Sequence, residues 1–160
     1  MRSLLRIGLC APALAILVSV STLIAQTQDR AIGTWKLNLN KSKYAPGPPP
    51  RSLAITFEPA GRGVRVTIRG ENADGQPIHA EYVANYDGKN YPVTGARDYD
   101  TVVLRRIDAS TVESTHKRIG LVVLTLRRVV SKDGMVLTAV TSGTEASGRK
   151  IKNVAVFDRQ

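Results

Sequence analysis

Alternation with a period of two residues between large apolar side chains and mostly polar or small ones constrains the fold of this 160-residue chain more than any other feature. In segment 53–57, leucine, isoleucine and phenylalanine alternate with alanine and threonine, and segments 64–68 and 78–86 repeat the pattern. A period of two residues is typical of a β-strand with one buried face and one solvated face. No segment after residue 25 has a convincing apolar period of 3.6 residues, so the pattern predicts an all-β domain.

Aspartate–glycine pairs separate the alternating segments, at Asp74–Gly75, Asp87–Gly88 and Asp133–Gly134. Glycine supplies the positive φ that a tight hairpin turn requires. With the other turn residues, these pairs delimit the predicted strands 32–39, 51–58, 63–70, 77–86, 89–94, 100–107, 111–118, 121–131, 134–142 and 150–158. We expect an up-and-down antiparallel meander that closes into a barrel of about eight to ten strands, because closure removes exposed edges.

The first 25 residues precede this domain and have the marks of a signal-peptide helix. Arg2 and Arg6 are followed by the apolar run 7–24, and polar residues begin after Ala25. We predict cleavage near Ala25, a single domain at 26–160, and a periplasmic or secreted location. A retained membrane anchor is the alternative, because the apolar run is just long enough to cross about 30 Å of hydrocarbon.

Cleavage would remove Cys10, the only cysteine, so we expect the domain to have no disulfide partner. It would also remove Arg2 and Arg6 and lower the formal net charge from +10 to +8. A basic surface of this kind attracts anionic partners, here an anionic envelope surface. Nucleic acid is not an expected partner, because aromatic residues make up only 5% of the chain and cannot form a stacking platform on a basic face.

The proline-rich segment 44–50 cannot form a central strand or a helix, since proline lacks the amide donor. We expect an extended connector between the first two strands. It either crosses the open end of the barrel or runs over the surface as an ordinary loop.

Two arginines are candidates for a ligand-binding site inside the barrel. The tripeptide Leu-Arg-Arg occurs at 104–106 and at 126–128, on predicted strands two apart. If both leucines point inward, Arg106 and Arg128 do too, with their strands about 10 Å apart. Their guanidinium groups would then converge on one carboxylate or phosphate. One alternative is a β-bulge, which would turn an arginine side chain to the outside of the barrel. The other is an arginine that caps Trp35 through a cation–π contact of about 1 kcal/mol.

Tyr82 and Tyr86 share the expected inward face and would offer hydroxyl groups to a ligand, or simply fill the core. His79 and His116 have no further ligands at metal-binding spacing and are expected to point outward, so we predict no metal site. The sequence contains no catalytic or cofactor-binding motif that we can identify. We therefore predict a protein that is not an enzyme and that uses no cofactor.

The tripeptide Gly33-Thr34-Trp35 in the first predicted strand resembles the opening strand of the calycins, which are the lipocalins and the fatty-acid-binding proteins. Residues 154–159 look like the closing strand that pairs back with the first. The resemblance implies a bacterial lipocalin-like exported domain in which Gly33 and Trp35 close one barrel end, and inward arginines hold a fatty acid. The chain departs from these families in lacking the two helices after the first strand and a C-terminal helix.

Two functions fit these observations. The first is binding of a small amphipathic or lipid-like molecule, hydrophobic or anionic, in a lumen of several hundred Å³. The second is an envelope interaction or structural protein with a filled core, in which the basic exterior contacts anionic surfaces. The exterior residues in question are Arg65, Arg69, Lys117, Arg127 and Lys152.

Overall fold

The computed structural model describes residues 29–144 and 148–160, and the predicted signal peptide lies outside them. The described residues form ten strands and one short 3-10 helix, Leu39–Lys41. The strands are β1 (Gly33–Leu37), β2 (Ser52–Ala60), β3 (Gly63–Glu71), β4 (Pro77–Asn85), β5 (Tyr91–Pro92), β6 (Thr101–Arg106), β7 (Thr111–Arg118), β8 (Leu121–Val130), β9 (Val136–Thr144) and β10 (Lys150–Arg159). This part of the chain contains no helix long and apolar enough to cross a membrane.

All ten strands belong to one antiparallel sheet in the order β4-β3-β2-β1-β10-β9-β8-β7-β6-β5. The sheet curls until its two edge strands meet. Glu81 of β4 and Thr94, just after β5, exchange two backbone hydrogen bonds of 2.9 Å. The barrel is therefore nearly closed, which confirms the predicted all-β meander.

The observed strands begin and end close to the predicted limits, with two informative exceptions. Strand β1 ends at Leu37 because the Asn38 side chain accepts a hydrogen bond from the Lys41 amide and starts the 3-10 turn. Strand β5 is only two residues long. Asp87 binds the Lys89 amide in a turn, and Pro92 has no amide hydrogen to extend the pairing.

Strand parity places the apolar residues inside the barrel, as the alternation predicts. One end, the closed end, is sealed around Trp35, which has no exposed surface. Its indole Nε1 donates a hydrogen bond of 2.7 Å to the Ala31 carbonyl, and the Arg159 guanidinium stacks 4.3 Å from its ring centroid. An arginine thus caps Trp35, but it comes from the last strand rather than from either Leu-Arg-Arg tripeptide.

Gly33 makes this cap possible. It has a φ of 128°, and a Cβ atom there would lie 2.7 Å from Nη1 of Arg159. The same guanidinium donates hydrogen bonds to the carbonyls of Ile32, Arg30 and Gly134 at 2.6–2.8 Å. A side chain at Gly33 would therefore displace the arginine that ties the first and last strands together.

The opposite end, the open end, is bordered by the connector between β1 and β2. Lys43 and Val154 of β10 exchange backbone hydrogen bonds of 2.8 Å, and the Ala45 carbonyl accepts one from Lys152. The connector thus replaces β1 as the neighbour of β10, and residues 45–49 beyond it are exposed. Inward apolar residues toward this end are only partly buried, namely Leu53, Ile68, Ile78, Leu126 and Ile151.

Candidate functional site

Arg128 of β8 points into the lumen and is 6% exposed. Its Nη1 and Nη2 atoms lie 3.3 Å and 2.7 Å from the two carboxylate oxygens of Asp29. Its guanidinium carbon lies 4.5 Å from the centroid of the Phe57 ring. Asp29 belongs to the segment before β1, which therefore inserts a carboxylate into the barrel beside the closed end.

The Asp29 carboxylate has three kinds of hydrogen-bond donor. Besides Arg128, it accepts hydrogen bonds from the Tyr86 hydroxyl and from the Ala31 amide at 2.9 Å. Burial alone would raise the pKa of Asp29, but the charge of Arg128 and these hydrogen bonds together hold the pKa below its usual value. Asp29 is therefore ionised at neutral pH and offsets the buried positive charge of Arg128.

Arg106 of β6 also points inward, as strand parity predicts. Val112 of β7 stands opposite Arg106 on one side and Arg128 on the other, so the two arginines occupy one row of the barrel wall. The Arg106 guanidinium lies 4.0 Å from the centroid of the Tyr86 ring. Both arginines thus contact the network of Tyr86 and Asp29, and the Asp29 carboxylate occupies the place where sequence analysis expected a ligand anion.

Asp29 is the residue that sequence reasoning missed. It lies four residues before β1 and belongs to no alternating segment. The sequence offered one signal for this role. An acidic residue follows shortly after the predicted cleavage point, and the two inward arginines require a counter-ion.

A cavity of about 60 Å³ lies in the middle of the lumen. Its wall is mainly apolar, with one polar stretch made by Ser114, His116 and Arg128. The other lining residues are Ile55, Phe57, Val64, Val66, Ile68, Tyr82, Leu104, Val112 and Leu126. The volume is far below the several hundred Å³ that was predicted, because aromatic side chains and Arg128 fill much of the interior.

His116 lies inside the barrel, so the expectation that it points outward was wrong. Val112, Ser114 and His116 are alternate residues of β7, so their side chains all point to its inner face. His116 is 6% exposed there. Its Nε2 is 3.1 Å from the Ser114 hydroxyl, and its ring meets the Tyr99 ring edge-on at 4.5 Å. Its Nδ1 is buried and has no hydrogen-bond partner in the described part of the chain. His79, in contrast, is exposed.

Burial lowers the pKa of His116 to about 4, so the imidazole is neutral near pH 7. Tyr82 and Tyr86 both lie on the inner face of the barrel. Burial, followed by the contacts with Asp29, raises the pKa of Tyr86 to about 12, and burial also raises the pKa of Tyr82. Within 29–144 and 148–160, no three His, Cys, Asp or Glu side chains are grouped so that they could hold a metal ion.

No protein-family model matches the chain, and no curated protein matches it in sequence. Solved structures do match it. One is zebrafish ileal bile acid-binding protein complexed with cholic acid, at 9% identity and a TM-score of 0.51, covering 82% of this chain and all of that one. Another is a redesigned β-barrel, mFAP0, bound to DFHBI, at 14% identity and a TM-score of 0.39, with the same coverage. The first similarity shows that the chain shares the antiparallel β-barrel fold of that protein.

Proposed function

We propose that this protein is an exported, lipocalin-like barrel that binds a small amphipathic molecule in its lumen and does not act as an enzyme. The observation that carries the proposal is the buried Nδ1 atom of His116, which lacks a partner on the wall of an otherwise apolar cavity. A buried polar atom without a hydrogen bond costs about 1–3 kcal/mol, and a ligand that supplies the bond recovers this cost.

The polar end of the ligand would lie against Ser114 and His116. A neutral imidazole and a hydroxyl can each donate or accept a hydrogen bond, so a hydroxyl or carbonyl group on the ligand fits them. An anionic head group would have to displace the Asp29 carboxylate from Arg128. The two hydrogen bonds to Asp29 therefore favour an uncharged polar head group.

The apolar part of the ligand would extend toward the open end. The wall residues Ile55, Ile68 and Leu126 are only partly buried, which gives a ligand access to the cavity from that side. A cavity of about 60 Å³ holds a few atoms of a linear chain, and a larger molecule requires these side chains to move. A bile-acid-binding protein of the same fold supports an amphipathic ligand.

Filling the cavity is expected to abolish binding. Titration calorimetry measures the binding of 1-decanol and of decanoate. Leu126→Trp puts a large ring into the cavity wall and should weaken decanol binding by about tenfold or more. The matched control is Val140→Trp, an exposed position on the neighbouring strand β9, which should leave the affinity within about twofold.

Circular dichroism would first show that both tryptophan variants fold. Ser114→Ala, which removes only the hydroxyl, should also weaken decanol binding. Equal affinities in Leu126→Trp and Val140→Trp would place the binding site outside the lumen and refute the proposal. Native mass spectrometry of the protein taken from its own envelope would then identify any molecule that copurifies.

One observation favours the second candidate function, a basic envelope protein with a filled core. The cavity volume of about 60 Å³ is close to that of a barrel occupied by its own side chains. This function requires that neither decanol nor decanoate enters the lumen. It also requires adsorption to anionic vesicles that weakens steeply with added salt.

Export is supported by Arg2, Arg6 and the apolar run that ends before Ala25. The expected mature protein begins at Gln26, which places Asp29 close to the new N-terminus. N-terminal sequencing of protein from the periplasmic or culture fraction checks this expectation. Recovery of the intact chain from the membrane fraction would instead support a retained anchor.

A further inference from the structure

A groove of about 740 Å³ runs along the outer wall of the barrel, where the chain leaves β1 and enters β2. It shares no lining residue with the central cavity and is not used by the proposed ligand. Its lining includes the basic residues Lys36, Arg51 and Arg69, together with Ala54 and the acidic Asp158.

The sheet register places two of these cations in one row. Lys36 of β1 is paired with Ala54 of β2, and Ala54 is paired in turn with Arg69 of β3. All three side chains point outward, opposite in parity to the buried Trp35 and Val66. Adjacent strands are about 4.8 Å apart, so the backbones of Lys36 and Arg69 are separated by about 10 Å. The small methyl group of Ala54 leaves a notch between two long, positively charged side chains.

Two arginines elsewhere on the outer wall are neutralised by carboxylates on the neighbouring strand. Arg65 pairs with Glu81 at 2.5 Å, and Arg127 pairs with Glu113 at 2.6 Å. Lys36 and Arg69 have no hydrogen bond or ion pair from their side chains to any of the residues that the structure describes.

The carboxylate that the strand register places opposite Lys36 already accepts hydrogen bonds from other residues. Asp158 stands opposite Lys36, but it accepts hydrogen bonds from Lys41 at 3.1 Å and from Asn38 at 2.6 Å. The positive charge of Lys36 is therefore left facing the groove. Together with Arg69, it gives this part of the groove a local positive potential that favours an anion.

Hydroxyl groups border the same notch. Thr56 and Thr67 are paired across β2 and β3 in the next outward row, and with Ala54 and Arg69 they line an adjoining hollow of about 260 Å³. A phosphate group has several oxygens that can accept hydrogen bonds at once from a guanidinium, an ammonium and a hydroxyl. Two cations and two hydroxyls surround one small residue. This arrangement suits a phosphate, which has several accepting oxygens, better than an anion with a single accepting atom.

We propose that this outer groove is a phosphate-binding site. Arg69 holds two phosphate oxygens, Lys36 contacts the phosphate from the opposite side of Ala54, and a threonine hydroxyl donates the remaining hydrogen bond. The phosphate belongs either to a soluble phosphate compound or to a lipid head group. The site does not depend on what the lumen binds.

Titration calorimetry at low ionic strength tests the site with inorganic phosphate, and sedimentation tests it with phosphatidylcholine vesicles that contain phosphatidic acid. The double variant Lys36→Gln/Arg69→Gln is expected to weaken phosphate binding by about tenfold or more. The matched control is Lys89→Gln/Lys132→Gln, which removes two exposed charges that do not line the groove. It should change the affinity by about twofold at most, because it alters only the net charge.

Nuclear magnetic resonance provides an independent readout that does not depend on affinity. Phosphate should shift the amide signals of Ala54, Thr56 and Thr67 in the wild type and leave them unmoved in Lys36→Gln/Arg69→Gln. A loss of affinity for inorganic phosphate that is confined to Lys36→Gln/Arg69→Gln supports the site. If the loss is confined to this variant but is seen only with vesicles, it supports the site with a lipid as the source of the phosphate. Equal losses in the two double variants, or no binding of either probe by the wild type, would overturn the proposal.

Discussion

Replacing Asp29 with asparagine is expected to lower the free energy of unfolding by about 3–5 kcal/mol. The substitution keeps the shape of the side chain but leaves the Arg128 guanidinium charged and buried without a counter-ion. It also weakens the hydrogen bond from the Tyr86 hydroxyl. Urea denaturation of the purified domain measures the change, and Glu58→Gln, which neutralises an exposed carboxylate on β2, should leave the midpoint nearly unchanged.

The double variant Asp29→Leu/Arg128→Met separates the ion pair from the remaining packing. Removing both charges leaves no uncompensated ion, so most of the stability lost in Asp29→Asn should return. If Asp29→Asn unfolds at the wild-type urea concentration, the carboxylate is not inserted in the barrel, and the arginines are available to a ligand anion after all.

Acidification from pH 7 to about pH 4 is expected to cost up to about 3 kcal/mol of stability through His116 alone. Burial lowers the pKa of His116 to about 4 in the folded protein, whereas an unfolded histidine titrates near its ordinary value of 6.5. Protons therefore bind the unfolded chain first. The stability is complete above about pH 6.5 and declines as the pH falls through this window.

Comparison of two histidine variants isolates this effect. His116→Gln should flatten the stability profile between pH 6.5 and 4, while His79→Gln, at an exposed position, should retain the slope of the wild type. Asp29 does not interfere in this range. Its pKa is held below the usual value of 3.8, so its contribution is present above that value and is lost only at lower pH. An unchanged slope in His116→Gln would show that the imidazole is not buried in the folded protein.

Strand positions and the direction of each side chain could be predicted because both follow from local information. Alternation with period two fixed which residues share a face, and Arg106 and Arg128 are inward for that reason. The Asp-Gly turns fixed where neighbouring strands separate. The parity argument also applies to His116, which shares the face of Val112, and applying it there would have placed the histidine inside.

The occupancy of the lumen could not be read from the same pattern. Parity shows that a side chain enters the barrel but does not show how much volume the neighbouring side chains leave. The position of Asp29 depends on a contact 99 residues away along the chain, with Arg128. No local preference encodes such a contact. The remaining space and the internal counter-ion both depend on how side chains from several strands pack together.

Nuclear Overhauser contacts between bound decanol and the methyl groups of the protein test the central claim most directly. Binding in the lumen should give contacts from the alkyl chain to Val66, Ile68 and Leu126, which line the cavity. It should give none to Val129 and Val140, which lie on the outer face of the barrel. Contacts confined to the outer methyl groups, or none at all at saturating decanol, would contradict a ligand-binding lumen.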